Sequence, residues 1–178
     1  MAYSFTENRA GMLQIANTDA GVTMANGTSA IPTPPATLGQ VVRAFDPTYG
    51  EGEFILLVGV ASTVVGSLVT YNTTTYQTAL SPNTANLAQP VAVAMSANLA
   101  ASFGWYQIGG LAVVKKTAVK TLTNVPMFLS ATAGRIMATA ASGKQILGAR
   151  SANLATVTAT TSTVIVSINR PHAQGQTI

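Results

Sequence analysis

The sequence predicts an all-β protein, an antiparallel β-barrel or β-sandwich (jelly-roll-like) with an extended N-terminal arm. Two observations lead to this prediction. The stretch from Phe54 to Val114 contains no Asp, Glu, Lys or Arg in 61 consecutive residues. Inside and after this stretch, short segments rich in β-branched and aromatic residues alternate with Gly, Asn, Ser and Pro, a pattern typical of strands and turns.

Residues 1–39 are predicted to form the arm, because they show no sustained periodicity and are rich in Gly, Asn, Thr, Ala and Pro. Three prolines near its end fix φ and favour an extended chain. Apolar side chains are too frequent for a solvated tail, so we expect the arm to order on a partner or on a neighbouring subunit. The arm residues expected to make these contacts are Phe5, Met12, Leu13, Ile15, Pro32, Pro34 and Pro35.

Residues 40–172 are predicted to form the β domain, and residues 173–178 a C-terminal tail. Asp46-Pro47 initiates a turn after the first strand. The segment 54–60 (FILLVGV) is apolar on both alternating faces, so we expect it to be buried on both sides or to lie at an interface. Ten strands are expected, at 40–45, 54–60, 67–71, 76–80, 90–96, 104–114, 126–131, 134–138, 145–150 and 164–170.

Three of these segments carry finer predictions. In 90–96 (PVAVAMS), large and small residues alternate, and the small face permits close approach by another element. The segment 96–103 is expected to form a short helix or a turn. Gly109-Gly110 marks a bulge or a hairpin point within its strand, and the last strand is expected to end at Pro171.

The composition indicates a protein that works inside an assembly. Only 8% of the 178 residues are charged, against about 25% in a typical soluble domain, so little charge repulsion opposes contact with neighbours. All five acidic residues lie in 1–53, and seven of the nine basic residues follow. Such an acidic front and basic back could pair between subunits or with a larger partner.

The sequence offers little catalytic chemistry, and we expect no enzyme activity, no metal and no cofactor. Cysteine is absent, which excludes disulfides and zinc–sulfur sites. The single histidine, His172, has no carboxylate near it in sequence. Glu51 and Glu53 have the spacing of a carboxylate pair on one face of a strand, but solvated side chains in a Gly-rich loop are the simpler interpretation.

Aromatic and basic residues supply the remaining candidate contacts. Trp105, with Phe103 and Tyr106, could form a sugar-binding platform, but the interpretation we favour turns Tyr106 toward the core and Trp105 outward or toward a partner. Lys115 and Lys116 are adjacent, whereas the other bases are scattered singly, so nucleic acid is not an expected partner. The predicted partner-binding residues outside the arm are therefore Trp105, Lys115 and Lys116.

A membrane is not an expected partner either. Residues 54–71 carry no charge, but they contain Gly, Ser and Thr, and two strands account for them better than a membrane span. The N-terminus lacks the basic and apolar regions of a signal peptide.

Several runs resemble a family of tailed-bacteriophage virion proteins, small β-rich proteins encoded beside the major capsid protein and known as head decoration, or cement, proteins. The residues that carry the resemblance span about 32–172. They are 43–50 (RAFDPTYG), 50–72 (GEGEFILLVGVASTVVGSLVTYN), 90–114 (PVAVAMSANLAASFGWYQIGGLAVV), 148–152 (GARSA) and 168–171 (INRP).

The resemblance implies a structural protein, made in the host cytoplasm, that binds the outer surface of the virion head. Its partners would be the major capsid protein and itself, with a homotrimer at local three-fold positions stabilising the shell. Two alternatives remain open. One is a head-fibre base, tail or baseplate component, and the other is a carbohydrate-binding β-module that uses Trp105 and Tyr106.

Overall fold

A computed structural model of the protein describes residues 2–6, 12–23 and 32–176. These residues form fourteen strands, and no helix occurs among them. The prediction of an all-β fold is therefore confirmed. Within the same ranges, nothing has the helical length and hydrophobicity that a membrane crossing would require.

The strands are numbered in chain order, and the first four lie in the predicted arm. The arm strands are β1 (Ser4–Phe5), β2 (Thr18–Asp19), β3 (Val22–Thr23) and β4 (Pro32–Thr33). The others are β5 (Val41–Asp46), β6 (Gly50–Val58), β7 (Leu68–Tyr71), β8 (Thr78–Leu80), β9 (Val91–Ala94), β10 (Phe103–Lys115), β11 (Pro126–Leu129), β12 (Ile136–Met137), β13 (Gln145–Ser151) and β14 (Thr163–Ala173).

Twelve strands belong to one antiparallel sheet, in the order β1-β5-β6-β10-β14-β13-β11-β12. Off this path, β2 and β9 also pair with β10, and β7 links β9 to β8. The strands β3 and β4 form a separate pair. The sheet is not closed into a barrel, so of the two predicted architectures the structure favours the sandwich-like one.

β10 is the centre of the sheet. Its first half pairs with β6, and its second half, from Gly109 to Lys115, pairs with β14. Every side chain from Phe103 to Ile108 is buried. Because successive residues point to opposite faces of a strand, this half of β10 must be covered by protein on both sides.

Two apolar clusters provide that cover. On one face, Trp105 packs with Phe54, Leu56 and residues of the N-terminal segment. On the other face, Tyr106 packs with Ile55 and with β7 and β9. A third cluster lies between the second half of β10 and β9, β11, β13 and β14. The prediction that the segment beginning at Phe54 is buried on both sides is confirmed.

The predicted turn and bulge are confirmed as well. Asp46 and Gly50 are paired at the β5–β6 turn, and Gly50 has φ +74°, the left-handed conformation that closes a three-residue hairpin loop. The β6–β10 register shifts between Gln107 and Gly109. The strand continues past this shift, so the Gly109-Gly110 pair forms a bulge and not a hairpin.

Other predictions differ from the structure in position. The last strand continues beyond Pro171 to Ala173, because backbone hydrogen bonds from Ala173 N–H to Gln89 O and from Gln174 N–H to Gln145 O hold this part of the chain in place. The side chain of Ala173 is fully buried. The predicted tail therefore begins later than residue 173.

Two further predictions agree with the structure. The segment 96–103 forms bends and a turn, the second of its two predicted alternatives. The small face of 90–96 is approached closely by another element, since Ala92 and Ala94 pack with Tyr106 of β10.

Candidate interaction surfaces

The N-terminal segment lies on the chain's own sheet. Ile15 is almost completely buried, and Phe5, Met12 and Leu13 are partly buried against the same cluster. β1 pairs with β5, and β2 pairs with the start of β10. The expectation that these apolar residues need a partner to order is wrong for the described part of the arm, since the protein's own β domain covers them.

Trp105 explains why the segment docks where it does. The side chain is fully buried, and its Nε1–H donates to the carbonyl oxygen of Leu13 at 2.7 Å. Phe5 meets the indole ring edge-on, with ring centroids 5.8 Å apart. A buried indole N–H needs an acceptor, and the segment supplies it. The expectation that Trp105 faces outward is wrong, and its side chain offers no surface to a partner.

A polar cluster holds the beginning of the segment. Tyr3 Oη donates to Leu111 O at 2.8 Å, and Gln107 Nε2 lies 3.3 Å from Tyr3 Oη and 3.0 Å from Leu111 O. Burial raises the pKa of Tyr3, and the hydrogen bond from Gln107 offsets part of that rise. Tyr3 therefore stays protonated at neutral pH and acts as a donor. Like Trp105, Gln107 is fully buried.

Asp46 ties the same segment to the β5–β6 turn. Its Oδ2 accepts a hydrogen bond from Ala2 N–H at 2.6 Å, and its Oδ1 accepts from Thr48 N–H and Tyr49 N–H. Burial by itself raises the pKa of this carboxyl, but the three backbone donors outweigh burial and lower the pKa below its ordinary value. Asp46 is therefore a charged structural anchor.

The prolines of the arm lie apart from these contacts. Pro32 belongs to β4, which pairs with β3. Pro34 and Pro35 are half-buried. Whether any of the three contacts a partner stays a prediction.

The adjacent lysines at the end of β10 differ sharply. Lys116 is almost completely buried, and its Nζ donates to Val119 O at 2.8 Å and Thr117 O at 3.2 Å. Burial lowers the pKa of Lys116. Lys116 thus closes the following loop and cannot act as a surface contact, whereas Lys115 is half-buried and remains a candidate.

One ion pair among the described residues, between Glu53 and Arg170, joins the acidic front and the basic back of the chain. Arg43 lies 3.5 Å from Glu53 and 3.7 Å from Glu51, and Arg170 lies 3.4 Å from the second oxygen of Glu53. The two glutamates therefore face cations. The described residues contain no group of three His, Cys, Asp or Glu side chains suited to a metal ion.

A groove of about 370 Å³ runs beside β5, lined by Phe5, Thr6, Met12, Gln40, Val41, Val42, Arg43 and Glu51. Val41, Arg43 and Phe45 alternate along β5 and are all exposed, so they share one face. Phe45 is 52% exposed and Val41 44%. This face combines apolar and charged groups without the convergent polar groups of a small-molecule site.

Exposed apolar residues are the surface feature that the sequence interpretation missed. Besides Val41 and Phe45, the large apolar side chains at least 40% exposed among the described residues are Val64, Val65, Leu99, Leu122 and Leu154. Five of these seven residues lie in loops. Apolar residues within turn-like segments of the sequence were the signal that could have predicted their exposure. In a chain with so few charges, these side chains mark the surface available for contact.

Comparison of the sequence with models of protein families finds none that matches. Comparison with curated proteins finds no match either.

Proposed function

We propose that this protein is a virion structural protein of a tailed bacteriophage that binds the outer surface of the head and stabilises the shell of the major capsid protein. It would act without catalysis, as a homotrimer at local three-fold positions. One observation carries the proposal: a charge-poor β fold leaves large apolar side chains exposed in loops and along β5. The resemblance of residues 32–172 to head decoration proteins points to the same role.

The exposed face of β5 is well suited to protein contact. Val41 and Phe45 supply apolar area, and Arg43 lies between them with its charge directed to Glu51 and Glu53. Protein interfaces combine an apolar centre with a polar rim, and exposed aromatic residues are enriched there. The strand itself is held by β6 and by the N-terminal segment, so binding would not require it to refold.

Stabilisation would follow from linkage. A ligand that binds the assembled shell but not its dissociated subunits stabilises the shell by RT ln(1 + [L]/Kd) at each site, and the effect repeats over many sites. A trimer adds avidity, because three weak contacts act together once the first has formed.

The proposal is tested by scanning calorimetry of heads assembled with and without this protein. Undecorated heads are expected to disrupt at a lower temperature, and added purified protein should restore the higher value. The variant Phe45→Ser should restore it less well than Leu154→Ser, a matched loss of an exposed apolar side chain from a loop. Equal transition temperatures for decorated and undecorated heads would contradict the proposal.

The alternatives are separated by other observations. Electron microscopy of particles carrying labelled protein distinguishes the head surface from a head-fibre base, tail or baseplate. The carbohydrate-binding alternative loses its platform, because Phe103, Trp105 and Tyr106 are all buried.

A further inference from the structure

Three segments meet at one end of the sheet, beside the end of β10. The backbone of Lys115 donates to Gly66 O at 2.8 Å, which places the loop before β7 against this strand end. Leu68 N–H donates to Gly134 O, and Thr117 N–H to Ile136 O. Residues 64–68, 115–120 and 134–136 are therefore neighbours in the structure, although they are distant in sequence, and the exposed or half-buried side chains among them lie at the same end of the sheet.

Basic residues are concentrated in this region. Lys120 is exposed, Lys115 and Arg135 are half-buried, and Arg135 Nη1 donates to Lys116 O at 3.2 Å. The ion pairs among the described residues all involve Arg43 or Arg170, and none involves these three cations. Their charge is therefore not offset by a described carboxylate.

Two exposed valines lie beside these cations. Val64 is 40% exposed and Val65 is 53% exposed. Val65 precedes Gly66, and a Cβ at Gly66 would lie only 3.6 Å from Lys115 Cγ. The arrangement places apolar side chains next to charged ones, and protein interfaces combine an apolar centre with a polar rim. We name the surface formed by Val64, Val65, Lys115, Lys120 and Arg135 the basic end.

The carboxylates that the structure describes do not make a second copy of this chain the source of the matching charge. Glu51 and Glu53 already face Arg43 and Arg170. Asp46 is buried and accepts three backbone N–H groups, and Asp19 accepts from Gly21 N–H. The described carboxylates are thus engaged within the chain, and the partner must bring its own.

Nucleic acid fits less well than an acidic protein surface. Binding of single strands uses aromatic side chains as stacking platforms, and duplex binding uses basic stripes that follow the phosphates. The basic end includes two exposed valines as well as its cations, and it has no aromatic residue among its members. Valine side chains gain by burial against protein, not against phosphate.

We propose that the basic end is the surface by which this protein docks on a carboxylate-rich patch of the assembled shell. This inference rests on the proposed function and specifies which end of the molecule meets the shell and what chemistry it recognises. Val64 and Val65 are buried at the centre of the contact, while Lys115, Lys120 and Arg135 pair with carboxylates at its rim. Rim charges act mainly on the association rate and its salt dependence.

The test compares two double variants for binding to undecorated shells of the major capsid protein. Lys115→Glu/Lys120→Glu reverses two charges at the basic end, and Lys144→Glu/Arg150→Glu makes the same change of net charge elsewhere. At low salt, the first variant is expected to associate at least about tenfold more slowly than wild type, and the difference should shrink at high salt. The control variant should stay close to wild type. Thermal melting confirms that both remain folded.

Val65→Ser adds a readout independent of charge, since it should speed dissociation with little change in salt dependence. If wild-type protein binds shells and the two double variants behave alike, the basic end is not the docking surface, although the proposed function stands. If wild-type protein binds no shell, the proposed function fails and the inference with it. Equal binding of wild type to double-stranded DNA, with the same loss in the first variant, overturns the choice of an acidic protein.

Discussion

At the scale of single residues, Asp46 shows how one carboxylate joins two parts of the chain. It closes the β5–β6 turn through Thr48 and Tyr49 and holds the N-terminal segment through Ala2. Its lowered pKa means that the folded state stabilises the charged carboxylate, relative to the protonated carboxyl, more than the unfolded state does. Its contribution to stability is therefore fully present above the unfolded pKa of about 3.9 and is lost as the pH falls through the folded pKa.

We predict that Asp46→Asn lowers the free energy of unfolding at pH 7 by about 1–3 kcal/mol, because an amide cannot accept at both positions and leaves a backbone N–H unpaired. The gap between wild type and variant should narrow as the pH falls below about 4. Urea denaturation at a series of pH values measures both effects. Glu51→Gln, at an exposed site, serves as the control, and a gap independent of pH would contradict this account of Asp46.

Gly110 and Gly50 separate backbone strain from steric conflict. Both have positive φ, +91° and +74°. A Cβ at Gly110 would collide with Glu51 O, whereas a Cβ at Gly50 would meet nothing within 4 Å. Any other residue at position 110 would therefore meet both backbone strain and a steric conflict, whereas at position 50 it would meet backbone strain alone.

We predict that Gly110→Ala destabilises the fold clearly more than Gly50→Ala does. Gly50→Ala should cost about 1 kcal/mol, the strain of a left-handed alanine, and Gly110→Ala about 1–3 kcal/mol more, because the bulge and the facing β6 must move apart. Thermal or urea unfolding of the two variants gives the comparison. Equal losses would show that the bulge tolerates the added methyl group.

At the scale of elements, the N-terminal segment behaves as a cover for the β6–β10 face. It contributes little regular pairing, since β1 and β2 have two residues each. Its position depends instead on side-chain contacts, above all on the indole of Trp105, which joins ring packing to a hydrogen bond with Leu13. Elements held mainly by such contacts open more readily than the centre of a sheet.

We predict that Trp105→Phe loosens this cover selectively. The phenyl ring preserves most of the packing, but the Leu13 carbonyl loses its donor, at a cost of about 1–3 kcal/mol. Hydrogen exchange followed by mass spectrometry should show faster exchange in residues 12–19 than in β14. Tyr71→Phe, which removes a polar aromatic atom from another cluster, should leave residues 12–19 unchanged, and uniform acceleration across the chain would contradict a selective effect.

At the scale of the whole molecule, charged residues are scarce, and several of them form ion pairs with one another. Arg43, Glu51, Glu53 and Arg170 form a network. The basic end lies apart from this network, with no described carboxylate paired to it. The exposed face of β5 and the basic end are therefore two separate surfaces, and we propose that the first serves contact between copies and the second docking on the shell.

We predict that the purified protein associates as a homotrimer of about 55 kDa, three times the 18.2 kDa chain. The exposed side chains of Val41 and Phe45 would be covered by this association, so Val41→Ser/Phe45→Ser should shift the equilibrium toward monomer. Sedimentation equilibrium over a range of concentrations measures the shift. Lys115→Glu/Lys120→Glu should leave the trimer intact, and a wild-type protein that is monomeric at every concentration would contradict the prediction.

The local pattern of the sequence determined much of the fold. Runs of β-branched and aromatic residues, and the apolar residues on both faces of 54–57, are local features of the sequence. They predicted strands, burial and the all-β class correctly. Asp46-Pro47 and Gly109-Gly110 likewise marked their turn and bulge through local chemistry. The same local patterns did not identify the surface contacts. Trp105 and Lys116 were predicted to bind a partner, and both are buried.

Only the tertiary structure decided which residues cover β10, which cations form ion pairs with described carboxylates, and where the other described cations lie. Trp105 and Leu13 are 92 residues apart, and Arg170 and Glu53 are 117 apart. Such pairs are set by the order of strands in the sheet, and periodicity along the chain carries no information about that order. The sequence by itself therefore determined the strands and the scarcity of charge. The sheet topology placed the predicted arm on the chain's own sheet instead of on a partner, and it brought Lys115 and Arg135 to one end although they are distant in sequence.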